Sequence, residues 1–257
     1  MVLELKDLNT YYEESHILQG VSLSVDTGEI VCLLGRNGVG KSTTLKSIIG
    51  LVKPRSGEVL FKGRNVAGMP PHTIAKLGVG YVPEEPYLYS YLTGAEYLEM
   101  TGQLRCLPEQ KLREKIDQFL RLLSLHSDRY TPLSSYSKGM RQKILIAAAL
   151  LHNPEVVILD EPFSGLDINS SLVMRRLIQS LAEAGKTVLF SSHDLETVEK
   201  VCSRVVILHR GKVVANGSVE ELRAMMHLPN LEEIFSQLVV EQDTGALASG
   251  VLEAMRL

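Results

Sequence analysis

The chain has 257 residues, a formal net charge of −3, 45% hydrophobic residues and no Trp. That is enough for one large or two small domains with a sizeable core. It leaves no basic field for nucleic acid or an anionic membrane surface. Cys32, Cys106 and Cys202 are widely spaced and form neither a disulfide framework nor a metal cluster, so they are expected to be small hydrophobes in a reducing compartment.

Met1 to Asn9 carries Glu4, Lys6 and Asp7, which is no signal-peptide core. The longest apolar run, Ile144 to Leu151, has eight residues, whereas a bilayer span needs ~20. A soluble chain is expected, with membrane contact only through a partner. In chain order, Val2 to Leu8 alternates apolar and polar and predicts a strand, as does Val21 to Val25. Between them lies Tyr11-Tyr12-Glu13, read as a loop whose ring either stacks on a nucleobase or decorates a surface turn. Thr27-Gly28 turns into a buried strand, Glu29 to Leu34.

Next comes Gly35-Arg36-Asn37-Gly38-Val39-Gly40-Lys41-Ser42-Thr43, and Thr44 to Ile49 begins a helix. Strand, glycine loop and helix give the pattern G-x-x-x-x-G-K-[ST] its physical meaning. Glycine lets the backbone wrap closely around phosphates. The freed N–H groups and the helix N-terminus then face the anion. Lys41 is expected to reach the outer phosphates, Ser42 to ligate Mg²⁺, and Thr43 to add a hydroxyl near the inner phosphate.

Lys53 to Gly57 reads as a loop, and Glu58 to Phe61 and Val79 to Pro83 as short strands. Tyr91 to Leu104, Glu109 to Leu123 and Lys138 to Leu151 carry apolar residues at helical spacing, an inserted helical block. A strand, Val156 to Leu159, then runs straight into Asp160-Glu161-Pro162. Acid at the C-terminal edge of a buried strand is where parallel sheets place ligands. Ser164 to Asp167 is a loop, Ile168 to Ala184 a helix, and Thr187 to Ser191 a strand leading to His193. A helix to Cys202, a hairpin (Val205 to His209 and Val213 to Asn216) and small helices at Glu220 to His227 and Leu231 to Val239 follow. The tail past Gln242 carries weak pattern. Strands alternating with helices around a phosphate loop predict an α/β, doubly wound, mainly parallel sheet.

The ordered set resembles the nucleotide-binding subunit of ATP-binding cassette (ABC) transporters, from about Val2 to Leu222. The glycine loop is similar to Walker A, and Val156 to Glu161 to Walker B with its adjacent glutamate. Tyr136-Ser137-Lys138-Gly139-Met140 stands where the family signature falls, Ser164 to Asp167 resembles the D-loop, and His193 the switch histidine. Tyr12 is similar to the adenine-stacking aromatic, and Glu84 occupies the Q-loop position. The resemblance implies a RecA-like P-loop NTPase with an N-terminal antiparallel β part and an inserted helical subdomain. Residues 1–84 and 151–222 would form the ATP-binding core, 85–150 the helical subdomain and 223–257 a C-terminal helical extension.

By the same resemblance, Asp160, Ser42 and Glu84 would hold Mg²⁺ and Glu161 would be the general base. His193 would sense the γ-phosphate, and Ser137, Gly139 and Asp167 would serve ATP bound by a second copy. A homodimer sandwiching ATP and a membrane permease subunit are the implied partners. Lys138 for glycine and Glu84 for glutamine depart from the common pattern. Lys138 is expected to point away from the nucleotide. Pro83 to Leu104 resembles exporter cassettes, and Pro70-Pro71-His72 those of amino-acid importers; export is favoured. A soluble non-transport cassette ATPase and a phosphotransferase on the same loop are the remaining classes.

Overall fold

The computed structural model describes residues 1–84 and 88–239. Residues 85–87, where the stretch expected to form the helical subdomain begins, and the tail past Gln242 lie outside the described residues. So does the end of the 223–257 extension.

β1 (Leu3–Tyr12) and β2 (Ser15–Val25) form an antiparallel hairpin. The stretch expected as a loop is therefore mostly strand: Tyr12 pairs with Ser15, and Glu13 turns the chain with φ at +53°. β3 (Ile30–Leu34) is buried at every position. The glycine loop leads into α1 (Lys41–Ile48), three residues earlier than the pattern predicts. The first turn closes there because Thr44 N–H donates to Gly40 O at 2.8 Å.

β4 (Ser56–Phe61), β5 (Arg64–Asn65) and α2 (Pro71–Lys76) follow. The sequence pattern assigns no element to the α2 stretch. Pro71 in fact opens the first turn, where the missing N–H costs nothing. β6 (Val79–Val82) precedes α3 (Gly94–Leu104), α4 (Glu109–Leu122) and α5 (Lys138–Leu150). Thr93 and Glu96 close a capping box at α3.

The remaining elements are β7 (Val156–Leu159), α6 (Ile168–Glu183), β8 (Thr187–Ser192), α7 (Leu195–Val201), β9 (Arg204–His209), β10 (Lys212–Gly217), α8 (Val219–Met226) and α9 (Leu231–Val239).

Two sheets result. The antiparallel one has the order β2-β1-β4-β5, and the larger one β10-β9-β3-β8-β7-β6. Within the larger sheet β9, β3, β8, β7 and β6 run parallel, and β10 pairs antiparallel to β9. Apolar side chains leave both faces of these strands. Val31, Leu33, Val156 and Ile158 join β1, β2, β4 and α1 in one core. Cys32, Leu34, Val157, Leu159 and Phe190 join α6, α7 and the C-terminal helices in another. A third core fills the helical block, with Leu98, Leu112, Leu120 and Ile144. α5 feeds both neighbours: Leu145 and Ile146 face the sheet, and Ile144 and Ala148 face α3 and α4.

Because the strands are parallel, their C-terminal ends share one edge. Leu34 pairs with Ser192 and Leu159 with Phe190. The glycine loop, Glu84, the Asp160-Glu161 pair and His193 thus all leave the same rim of the sheet.

Candidate active site

The glycine loop is shaped by close approach. A Cβ on Gly35 would lie 2.6 Å from the Leu208 carbonyl oxygen on β9, and one on Gly40 would lie 2.7 Å from Leu18 Cδ2. Gly40 also sits at φ +110°, which side chains disfavour. The loop is pinned from outside: Gly35 N–H donates to Ser192 O at 3.4 Å, and Gly211 N–H to Val39 O at 3.1 Å.

At its floor Lys41 is buried, with 5% of its side chain exposed. Its ammonium donates to Gly35 O at 2.7 Å and to Arg36 O at 3.3 Å. It also lies 3.1 Å from Glu161 Oε1, itself on a buried side chain. Oε1 makes no hydrogen bond, so this contact is one of charge alone. Glu161 Oε2 is 2.9 Å from Nδ1 of the half-exposed His193. Taking both charges out of water is expensive unless each meets an opposite charge or a dipole. The pair supplies that, and Gly35 O, Arg36 O and Glu161 Oε1 together surround the ammonium.

Beside it, Asp160 Oδ1 accepts from Ser42 Oγ at 3.0 Å and from Ser191 Oγ at 2.6 Å. Ser191 Oγ in turn accepts the Glu161 N–H at 2.8 Å. The Tyr81 hydroxyl is buried and without a hydrogen bond. Burial and the neighbouring Asp160 charge push its phenol well above the usual range. A carboxylate, an aliphatic hydroxyl and this orphaned phenol make a hard oxygen environment, which fits a hydrated Mg²⁺.

Two cavities meet here. One of about 390 Å³ is lined by Tyr12, Arg36, Asn37, Gly38, Gly40, Lys41, Ser42, Thr43, Glu84 and Glu161. The other, of about 450 Å³, lies between the glycine-loop helix and the helical block and is bordered by Ser42, Tyr81, Glu84, Tyr97 and Asp160. Ser42 and Glu84 stand at both. The two adjacent tyrosines differ. Tyr11 stacks on His16 at 4.1 Å between centroids and has Arg55 over its ring at 4.3 Å, whereas Tyr12 is 45% exposed and lines the loop cavity.

Ser137, Gly139 and Asp167 line neither cavity. Ser137 caps α5, accepting from Met140 N–H at 3.2 Å. Asp167 caps α6, accepting from Ser170 N–H at 2.9 Å, and that bond holds its carboxyl below the usual range. Lys138 Nζ lies against Gly165, 2.5 Å from where a Cβ would stand. Its ammonium therefore rests on the Ser164–Asp167 loop. Sequence reasoning missed Tyr81 and Ser191. The signal for Ser191 was strand register: β7 and β8 lie side by side with Leu159 opposite Phe190, which brings the next residues, Asp160 and Ser191, together.

A glycine cradle with a buried lysine, on the rim of a parallel sheet carrying an Asp-Glu pair, defines a P-loop ATPase. The chain belongs to the ABC transporter family, whose pattern its residues 18–164 match. It is an ATP-binding, ATP-hydrolysing subunit of that family. An uncharacterized ABC transporter ATP-binding protein of Nostoc sp. is 44% identical over 207 residues, 80% of this chain and 61% of that protein. The lipopolysaccharide export system ATP-binding protein of Acidithiobacillus ferridurans is 37% identical, over 86% of this chain and 92% of its own.

Among solved structures, an ATP-binding subunit of an ABC transporter superposes with a TM-score of 0.85 at 37% identity, covering 93% of this chain and 99% of that one. A dimeric cassette in a post-hydrolysis state with ADP and Pi reaches 0.77 at 27% identity, over 84% of this chain and 98% of its own.

Proposed function

We propose that this subunit powers a separate membrane permease, closing as a homodimer on two ATP molecules, and that the transport is export. The observation that carries the catalytic part is the buried Lys41–Glu161 pair under the glycine loop. Phosphate oxygens are stronger acceptors for an ammonium than the carbonyls of Gly35 and Arg36. They draw Lys41 toward them and release Glu161. The freed carboxylate takes the proton of the attacking water as general base. His193, on Glu161 Oε2, faces the same phosphate and keeps the carboxylate oriented.

Ser42 and Asp160 would hold Mg²⁺, with Glu84 at the edge of that site; when bound, the ion would supply charge neutralisation to the phosphates. Gly38, Val39, Gly40 and Thr43 supply N–H groups and a hydroxyl, Arg36 and Asn37 wall the cavity, and Tyr12 offers its exposed ring to the base.

Ser137 and Gly139 open α5, and a helix N-terminus attracts an anion. Because they line neither of this chain's own cavities, they suit ATP held by a second copy, with Asp167 beside them. The dimeric cassette with ADP and Pi supports that reading. So do Ile168, Leu172 and Val173, at least half exposed just after Asp167. The export direction is supported by the relative that serves a lipopolysaccharide export system. Among the described residues no helix is long and apolar enough to cross a membrane, so a peripheral position through the permease follows on this reading. In it, residues 1–84 and 151–222 bind ATP, 85–150 form the helical arm and 223–257 the extension.

The test is Glu161→Gln, studied by size-exclusion chromatography with ATP and Mg²⁺ and again with ADP. Loss of the base lowers turnover by about 10²–10⁴. ATP affinity is expected to rise, because Lys41 no longer has a charged competitor. A dimer peak with ATP alone supports the base and the composite site. Wild-type turnover removes Glu161 as base, and an inactive monomer with ATP bound removes the homodimer.

A further inference from the structure

Ser191 is fully buried on β8, between the two strands that carry the chemistry. It pairs with Leu33 of β3, which leads to the glycine loop, and on the other side it faces Asp160. A hydroxyl has one proton to give. Here the bonding partners decide where it goes. Glu161 N–H is a donor, so Ser191 Oγ accepts it at 2.8 Å, and the Ser191 proton goes to Asp160 Oδ1 at 2.6 Å. The result is a directed chain, Glu161 N–H to Ser191 O–H to Asp160 carboxylate. Ser42 Oγ adds a second donor to the same Asp160 oxygen at 3.0 Å.

The chain acts on backbone as well as side chain. Glu161 sits at φ +47°, a region that residues with a Cβ rarely occupy and keep only when surroundings enforce it. The capture of its N–H by Ser191 is one such enforcement. The adjacent Ser192 does a different job, accepting the Asp194 N–H at 3.0 Å at the start of α7.

We propose that Ser191 is a positioning residue for hydrolysis, one hydroxyl that sets the backbone of Glu161 and the rotamer of Asp160 together. This rests on the reading of Glu161 as base and Asp160 as cation ligand. Misplacing a catalytic group by an ångström costs up to about 10²-fold in rate. The hydroxyl is buried and lines neither cavity, so its loss is expected to act on turnover more than on nucleotide binding.

The test compares Ser191→Thr with Ser191→Val in the full chain. The two side chains share a shape and fit a strand, and they differ in the hydroxyl. Thr is expected to keep turnover within about threefold of wild type, and Val to lose about ten- to a hundredfold in kcat. Metal-free ATP affinity should match within about twofold between them. In an ATP titration with and without Mg²⁺, the gain in affinity from the ion should shrink in the Val variant. Adding Ser191→Val to Glu161→Gln should cost less than Ser191→Val costs in the wild type, because the Glu161 part of the loss is already taken and groups acting as a unit are not additive.

Equal kcat for Thr and Val, with Glu161→Gln inactive, overturns the positioning role and leaves the base standing. A Val variant that loses metal-free ATP affinity and kcat alike shows a structural role and overturns it as well. Wild-type turnover in Glu161→Gln removes the base reading, independently of either Ser191 variant.

Discussion

Lys41 and Glu161 bury opposite charges 3.1 Å apart, and each residue makes the other's burial tolerable. Removing one partner of such a pair is more harmful than removing both, because the survivor stays desolvated. Lys41→Ala is therefore expected to act twice. ATP affinity should fall by at least about tenfold, with the loss of a charge-assisted contact to the phosphates. The nucleotide-free protein should also lose about 3–5 kcal/mol of stability, because Glu161 keeps only His193, which is 54% exposed and screened by water. Isothermal titration and urea unfolding measure the two effects separately. Unchanged affinity would remove the glycine loop as the phosphate site.

At the scale of elements, the helical block depends on how closely α3 and α4 approach. Gly102, in the last turns of α3, is where they touch. A Cβ there would lie 2.2 Å from Leu112 Cδ1 and 2.6 Å from Leu112 Cδ2. Leu112 is itself buried at 1% exposure and has nowhere to swing. Gly→Ala in a helix normally stabilises by up to about 1 kcal/mol. Here overpacking wins, and Gly102→Ala is expected to destabilise by about 1–3 kcal/mol. Adding Leu112→Ala should relieve the clash, so the two costs sum to less than additive in a urea double-mutant cycle. α5 is the other control point, since it opens with Ser137 and carries side chains into two cores.

At the scale of the whole molecule, Glu84 borders both cavities. Tyr89 and Tyr91 lie just beyond it, 53% and 73% exposed with ring centroids 6.0 Å apart. Large exposed aromatics beside a cleft mark an interface. If these exposed rings belong to the permease contact proposed for the subunit, Tyr89→Asp with Tyr91→Asp should abolish co-purification with the membrane subunit from solubilised membranes. ATP binding by the isolated chain should persist. Retained co-purification would place the contact elsewhere.

Much of this was legible in the sequence because it is local. Glycine spacing, a lysine after the loop and an Asp-Glu pair at a strand end are chain-neighbour facts, and apolar periodicity located nearly every strand and long helix. α2 was missed because a helix of 6 residues is too short to show helical periodicity. The Tyr11–Glu13 stretch was read as a loop because hairpin length depends on cross-strand pairing. The resemblance singled out Tyr12, and the structure adds the reason: His16 and Arg55 fold back over Tyr11. The Lys41–Glu161 pair, the orphaned Tyr81 hydroxyl and the Ser191 chain were decided by tertiary structure. They join residues from β3, β6, β7 and β8 that only a parallel sheet brings to one rim, where burial makes each unpaired polar group costly.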